Sequence, residues 1–123
     1  MKTILIVDDD QAIQELLSTA LNDYSDYKPI AAEDLDAALE LIRLDKPNLI
    51  LLDMLMPRIG GIALLINLKK IEETKNIPVI LMSGVMKHET LQKEGLDMGA
   101  AAYFIKPLDV KKLLDKIKSL LDG

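Results

Sequence analysis

At 123 residues, half of them apolar and 28% charged, the chain has the size and composition of one folded domain, 1–123, and not of a disordered one. The absence of cysteine excludes a disulfide framework and thiolate metal centres, and it fits a reducing cytoplasm. A net charge of −5 argues against nucleic acid as a direct partner, no apolar run approaches the roughly 18–20 residues of a membrane span, and the five uncharged residues from Thr3 to Val7 are too few for a signal peptide.

The first element, Ile4-Leu5-Ile6-Val7, is short and rich in branched residues, which predicts a strand buried on both faces. Asp8, Asp9 and Asp10 follow it, and then Ala12, Ile13, Leu16, Leu17, Ala20 and Leu21 recur at helical spacing. Pro29-Ile30-Ala31-Ala32 is a weaker strand, expected near an edge, and Leu35, Ala38, Leu39 and Ile42 predict a second helix. Pro47 introduces the third strand, Leu49 to Leu52, which runs into Asp53. Gly60-Gly61 opens a third helix carrying Leu64, Leu65, Leu68 and Ile71. Pro78 starts the fourth strand, Val79 to Met82, and Ser83-Gly84 follows. Met86 to Met98 has a thin stripe with Leu91 and Gly95, as expected for a helix of low local stability. Tyr103-Phe104-Ile105 makes a fifth strand, and beyond Lys106-Pro107 the clearest stripe runs through Val110, Leu113, Leu114, Ile117, Leu120 and Leu121. Strand and helix thus alternate five times, which predicts a parallel sheet covered on both faces and joined by right-handed crossovers.

Ligands of such sheets bind beyond the carboxyl ends of the strands. Asp8, Asp9, Asp10, Asp53, Ser83 and Lys106 all fall there. Crowded carboxylates repel one another unless a cation is present. A hard divalent ion relieves the repulsion, and Mg²⁺ suits one or two carboxylates, several waters and a phosphate oxygen. Lys106 can neutralise phosphoryl charge, Ser83 can donate a hydrogen bond to it, and Asp53 remains as the nucleophile for an acyl phosphate. Singly, each has an ordinary explanation: Asp10 before Ala12-Ile13 reads as a helix N-cap, and Ser-Gly and Lys-Pro are common loop pairs. Their joint placement at four strand ends departs from chance.

Ile4 to Asp10, Pro47 to Pro57, Ile77 to Gly84 and Gly99 to Leu108 occur in the order expected of one family. Over nearly its full length the chain resembles the receiver domain of two-component response regulators. The resemblance implies a flavodoxin-like, doubly wound five-stranded parallel sheet of order 2-1-3-4-5 with five helices. It implies Asp53 as the phosphoacceptor, Asp9 as a direct Mg²⁺ ligand, Asp8 acting through metal-bound water, and Leu55 giving its backbone carbonyl to the metal. Lys106, with a cis bond to Pro107, would contact the phosphoryl group, and Ser83 and Tyr103 would be the switch pair. The implied donor is a sensor histidine kinase or histidine phosphotransfer protein. The implied receiver of the signal is a target protein, or an output domain of a longer regulator, docking on the face made by the fourth helix, fifth strand and fifth helix. Such a domain is no enzyme beyond catalysing its own phosphorylation and dephosphorylation.

Three positions depart from the family pattern. Gly60 stands where an acidic residue usually precedes the glycine, which suggests a more mobile loop. Leu55 and Val85 cannot orient water, so the acyl phosphate is expected to hydrolyse slowly; a half-life of seconds after loading with acetyl phosphate would contradict this. A receiver-like module that is never phosphorylated is the main alternative, and the complete set of Asp8, Asp9, Asp53, Ser83 and Lys106 argues against it. A small haloacid-dehalogenase-type phosphatase would use Asp8-Asp9-Asp10, but Ala12 stands where it needs Thr or Val. A flavodoxin-type flavin protein would need a Ser/Thr/Gly-rich phosphate loop where the three carboxylates lie. His88 has no Cys or other His for a metal site, and Lys111, Lys112, Lys116 and Lys118 read as a solvated helix face.

Overall fold

A computed structural model describes residues 1–54, 61–84 and 88–122. Its elements are β1 (Thr3–Val7), α1 (Gln11–Tyr24), β2 (Lys28–Ala32), α2 (Leu35–Asp45), β3 (Leu49–Asp53), α3 (Gly61–Lys70), β4 (Val79–Ser83), α4 (His88–Asp97), β5 (Ala102–Ile105) and α5 (Val110–Leu121). All strand pairs are parallel and the sheet order is β2-β1-β3-β4-β5. The expected order and five-helix count are both found.

The unbroken apolar runs form strands because helices cover both sheet faces, and the two-residue period divides each run between two cores. Leu5, Val7, Ile50, Leu52, Val79 and Leu81 face one core with Ala38 and Ile42 of α2 and Leu64, Leu65 and Leu68 of α3. Ile4, Ile6, Leu49, Leu51, Ile80 and Met82 face the other with Leu17 and Leu21 of α1 and Leu113 and Ile117 of α5. Aspartates start three helices: Asp10, Asp34 and Asp109 accept from the backbone N–H groups of Ala12, Ala37 and Lys112. Each such cap stabilises its helix by about 1 kcal/mol.

Ala12 and three larger stripe residues do not reach a core. Leu16, Leu39 and Ile71 are 45%, 40% and 44% exposed. The sheet covers a narrower arc of each helix than the apolar stripe occupies, and Ile71 lies just past the end of α3.

The amino-end side of the sheet is closed by a clasp. Lys2 Nζ donates to Leu121 O at 2.7 Å and to Asp122 Oδ1 at 2.8 Å, while the Tyr27 hydroxyl donates to Asp122 Oδ2. Burial, the bond to Asp122 and the charges of Asp122 and Asp26 push the Tyr27 pKa up to about 12. A raised folded-state value means that this stabilisation is whole below the unfolded tyrosine value of about 10 and is lost as pH rises through about 12. Urea midpoints between pH 9 and 12 should therefore fall less steeply in Tyr27→Phe than in the native chain. Parallel slopes would show that the clasp does not hold the Tyr27 proton.

Candidate functional site

The register brings the strand ends together. Val7 pairs with Leu52, Asp53 with Met82, and Ser83 with Ile105, so the next residues of β1, β3, β4 and β5 emerge on one rim. The Lys106 N–H also donates to Ser83 O at 2.8 Å, which ties the ends of β4 and β5. Asp8, Asp9, Asp53, Ser83 and Lys106 are all placed at this rim, as the sequence predicts.

Asp8 is fully buried. Its Oδ1 accepts from the Asp10 N–H at 2.9 Å and its Oδ2 accepts from Lys106 Nζ at 2.8 Å, so both oxygens are engaged. Gln14 Nε2 donates to the Asp8 carbonyl at 2.6 Å and fixes the start of α1 against the same residue. Asp9 is exposed and has no hydrogen bond or ion pair among the described residues. Asp53 is 6% exposed and lies 3.6 Å from Lys106 Nζ. Ser83 is buried at the end of β4.

One oxygen each from Asp8, Asp9 and Asp53 lie within 4.8 Å of one another. Three carboxylate oxygens converging this closely, two of them on buried residues, carry more negative charge than one ammonium balances, and they suit a hard, oxygen-seeking divalent cation. Burial lowers the Lys106 pKa, but the hydrogen bond that Lys106 donates to Asp8 and the charges of Asp53, Asp8 and Asp10 outweigh it, so the net shift is upward and the cation is held charged. The arrangement can position an anion between Lys106 and a metal while offering the Asp53 carboxylate as a nucleophile.

Tyr103 lies on edge strand β5 opposite Leu81, with its ring half-buried against the core that contains Leu81. Its hydroxyl is buried and has no hydrogen-bond partner among the described residues. Leaving such a group unsatisfied costs about 1–3 kcal/mol. The Lys106–Pro107 peptide bond is cis. Leu55, Gly60, Val85 and the side chain of His88 lie outside the described residues, and with them the expected backbone ligand to the metal and the two positions expected to govern hydrolysis.

Sequence patterns missed two glycines. An added Cβ on Gly61 would lie 2.3 Å from the backbone oxygen of Asp53. The Gly61 N–H also donates to Met54 O at 2.9 Å, so α3 begins pressed against the peptide that follows Asp53. Gly95, inside α4, would place a Cβ 2.2 Å from Leu81 Cδ1. An isolated glycine within a helical pattern is the available signal for such close packing.

Residues 4–118 match the response regulator receiver domain model. The chain belongs to this family. Its receiver domain is 38% identical over 120 residues to the phosphate regulon transcriptional regulatory protein PhoB of Pseudomonas aeruginosa, covering 98% of this chain and 52% of that protein. It is 36% identical over 118 residues to sporulation initiation phosphotransferase F of Bacillus subtilis, covering 96% of this chain and 92% of that one. A solved receiver domain of a DNA-binding response regulator from Colwellia psychrerythraea superposes with a TM-score of 0.91 at 28% identity, over 100% of both chains. The chain spans about half the length of several curated relatives it matches, including PhoB, and nearly all of the phosphotransferase. As a receiver domain it is a phosphoacceptor signalling domain of two-component phosphorelays. No helix among the described residues is long and apolar enough to cross a membrane.

Proposed function

We propose that residues 1–123 act as one receiver domain that takes a phosphoryl group onto Asp53 from the phosphohistidine of a sensor histidine kinase or a histidine phosphotransfer protein. The observation that carries this reading is the Lys106 ammonium lying between the two buried carboxylates, 2.8 Å from Asp8 and 3.6 Å from Asp53, with the unpaired Asp9 beside them.

An Asp53 carboxylate oxygen attacks phosphorus; the new O–P bond forms as the N–P bond breaks, and the electron pair leaves with the imidazole. Lys106 can leave Asp53 to meet an incoming phosphoryl oxygen while keeping its bond to Asp8. Both Asp8 oxygens are occupied, which favours Asp8 as a partner of metal-bound water, whereas Asp9 is unengaged and suits direct ligation. Mg²⁺ held by Asp9, Asp53 and the backbone carbonyl of Leu55 would neutralise phosphoryl charge. Ser83 moves toward the new oxygens and Tyr103 fills the space it vacates, a move favoured because the buried Tyr103 hydroxyl has no partner to lose.

The signal then passes through the face of α4, β5 and α5, to a target protein or an output domain. Leu96, Met98 and Ile105 are 40%, 36% and 43% exposed there, the apolar surface a partner would cover. The domain works in the cytoplasm and is no enzyme beyond its own phosphorylation and dephosphorylation.

Intact mass after incubation with Mg²⁺ and acetyl phosphate tests the assignment. The native chain should gain one phosphoryl group and Asp53→Ala none. Equal labelling of the two would overturn it.

A further inference from the structure

α4 is held at one end by contacts that neither phosphoryl chemistry nor partner docking requires. Gly95 brings its backbone against Leu81 of β4. The helix then ends in a left-handed turn at Gly99, φ +106°, in which the Gly99 N–H donates to Leu96 O and the Ala100 N–H to Gly95 O, both at 3.1 Å. This paired pattern closes the last carbonyls of a helix on a residue that glycine alone adopts without strain. The next residue continues the anchorage, because the Ala101 N–H donates to Val79 O at 2.8 Å.

Lys69 straps this turn to another part of the fold. Its Cγ, Cδ and Cε lie 3.5–3.6 Å from where a Gly99 Cβ would stand, so its aliphatic stem runs across the bare glycine. Its ammonium continues past the turn and donates to Lys75 O and Ile77 O, each at 3.0 Å, in the loop between α3 and β4. That loop is itself tied to α3 by Thr74 Oγ1 donating to Leu68 O at 2.7 Å. The partners of the ammonium are neutral carbonyls and burial holds its pKa below the ordinary lysine value, so it serves as a paired donor and not as one half of a salt bridge.

The geometry points to Lys69 as a positioning residue for the switch: it pins the carboxyl end of α4 to the α3–β4 loop, so that phosphorylation swings the helix about Gly95–Gly99 and does not displace it bodily. The inference rests on the reading of Asp53 as the phosphoacceptor. α4 has ten residues and is about 15 Å long. Its amino end follows Ser83 closely in the chain and its pinned end lies a helix length away. Movement would therefore grow toward the amino end, while Leu96 and Met98 stay in place as a constant part of the docking face.

Hydrogen exchange on the full chain, with and without Mg²⁺ and acetyl phosphate, tests this, with intact mass recording phosphoryl uptake in the same samples. In the native chain, amides 96–101 should exchange equally before and after uptake, while amides 92–94 and 102–105 change. Lys69→Met keeps the stem and removes the donors; it should speed exchange at 96–101 about tenfold without phosphodonor and make those amides respond to phosphorylation. Lys69→Arg, which can still donate to both carbonyls, should restore the native pattern. A phosphorylated native chain in which 96–101 change as much as 92–94 overturns the pivot, and unchanged exchange there in Lys69→Met overturns the role of Lys69. A native chain that takes no phosphoryl group counts against the Asp53 reading, while the donor-free comparison of Lys69→Met still decides the strap.

Discussion

Lys106→Met should slow phosphoryl uptake from acetyl phosphate by about 10²–10³-fold, the usual effect of removing one preorganised donor from developing charge. It should also destabilise the Mg²⁺-free chain by about 2–3 kcal/mol, because removing one partner strands the other as an uncompensated buried charge. That partner is the fully buried Asp8; the bond it keeps from the Asp10 N–H and the 20% exposure of the Lys106 side chain hold the loss below that of a wholly buried pair. Mg²⁺ should then stabilise the variant more than the native chain, since the ion returns positive charge to the same carboxylates. The pH dependence has a definite sign. The folded-state pKa of Lys106 is raised, so its contribution is whole below the ordinary lysine value of 10.5 and is lost as pH rises through the folded value. The stability gap between native and variant chains should therefore close in strong alkali. Urea midpoints with and without Mg²⁺, taken from neutral pH upward, check each point, and a variant as stable as the native chain at neutral pH without Mg²⁺ would contradict the account.

Gly61→Ala is expected to act on stability and on the site together. Its methyl group would stand 2.3 Å from a backbone oxygen, which cannot rotate away as a side chain can. Either α3 or the Asp53–Met54 peptide must shift, at a cost of about 2–3 kcal/mol. Since Asp53 carries the proposed nucleophile, a shift of several tenths of an ångström there should lower phosphoryl uptake by tenfold or more, by the general sensitivity of such reactions to misplacement. Gly84→Ala is the control. Among the described residues its added carbon would meet Lys106 Cβ at 3.7 Å and Cδ at 3.9 Å, both ordinary contacts. Gly84→Ala should keep native stability and uptake, and loss of both to the same extent in the two variants would refute a specific role for Gly61.

The strands were legible because a doubly covered sheet needs continuous apolar runs, and Ile4 to Val7, Leu49 to Leu52 and Val79 to Met82 leave few other solutions. The rim residues were legible because strand-end position in a parallel sheet converts sequence position into spatial proximity: Asp8 and Lys106 stand 98 residues apart and share a hydrogen bond. What a stripe cannot reveal is where a covering sheet stops, and Leu16, Leu39 and Ile71 lie on the stripes yet outside the cores for that reason. Gly61 and Gly95 matter through what would collide with a side chain they lack, which depends on packing and not on local pattern. The Tyr27–Asp122 bond joins residues 95 apart that belong to no shared motif. Asp10 lay between the two cases: read as a helix cap, it is one, and its N–H also holds Asp8.

The bond between Asp8 and Lys106 also bears on when the domain becomes competent during its manufacture. Asp8 leaves the ribosome 98 residues ahead of Lys106, with four strands between Thr3 and Ser83 and a fifth just before the lysine. Parallel pairings over such separations form late, after the loops between them have closed. Until β5 docks, the carboxylates of the rim lack the ammonium that pairs with them in the folded domain. If Asp53 is the phosphoacceptor as proposed, receptivity would begin only once β5 has docked and brought Lys106 to the rim.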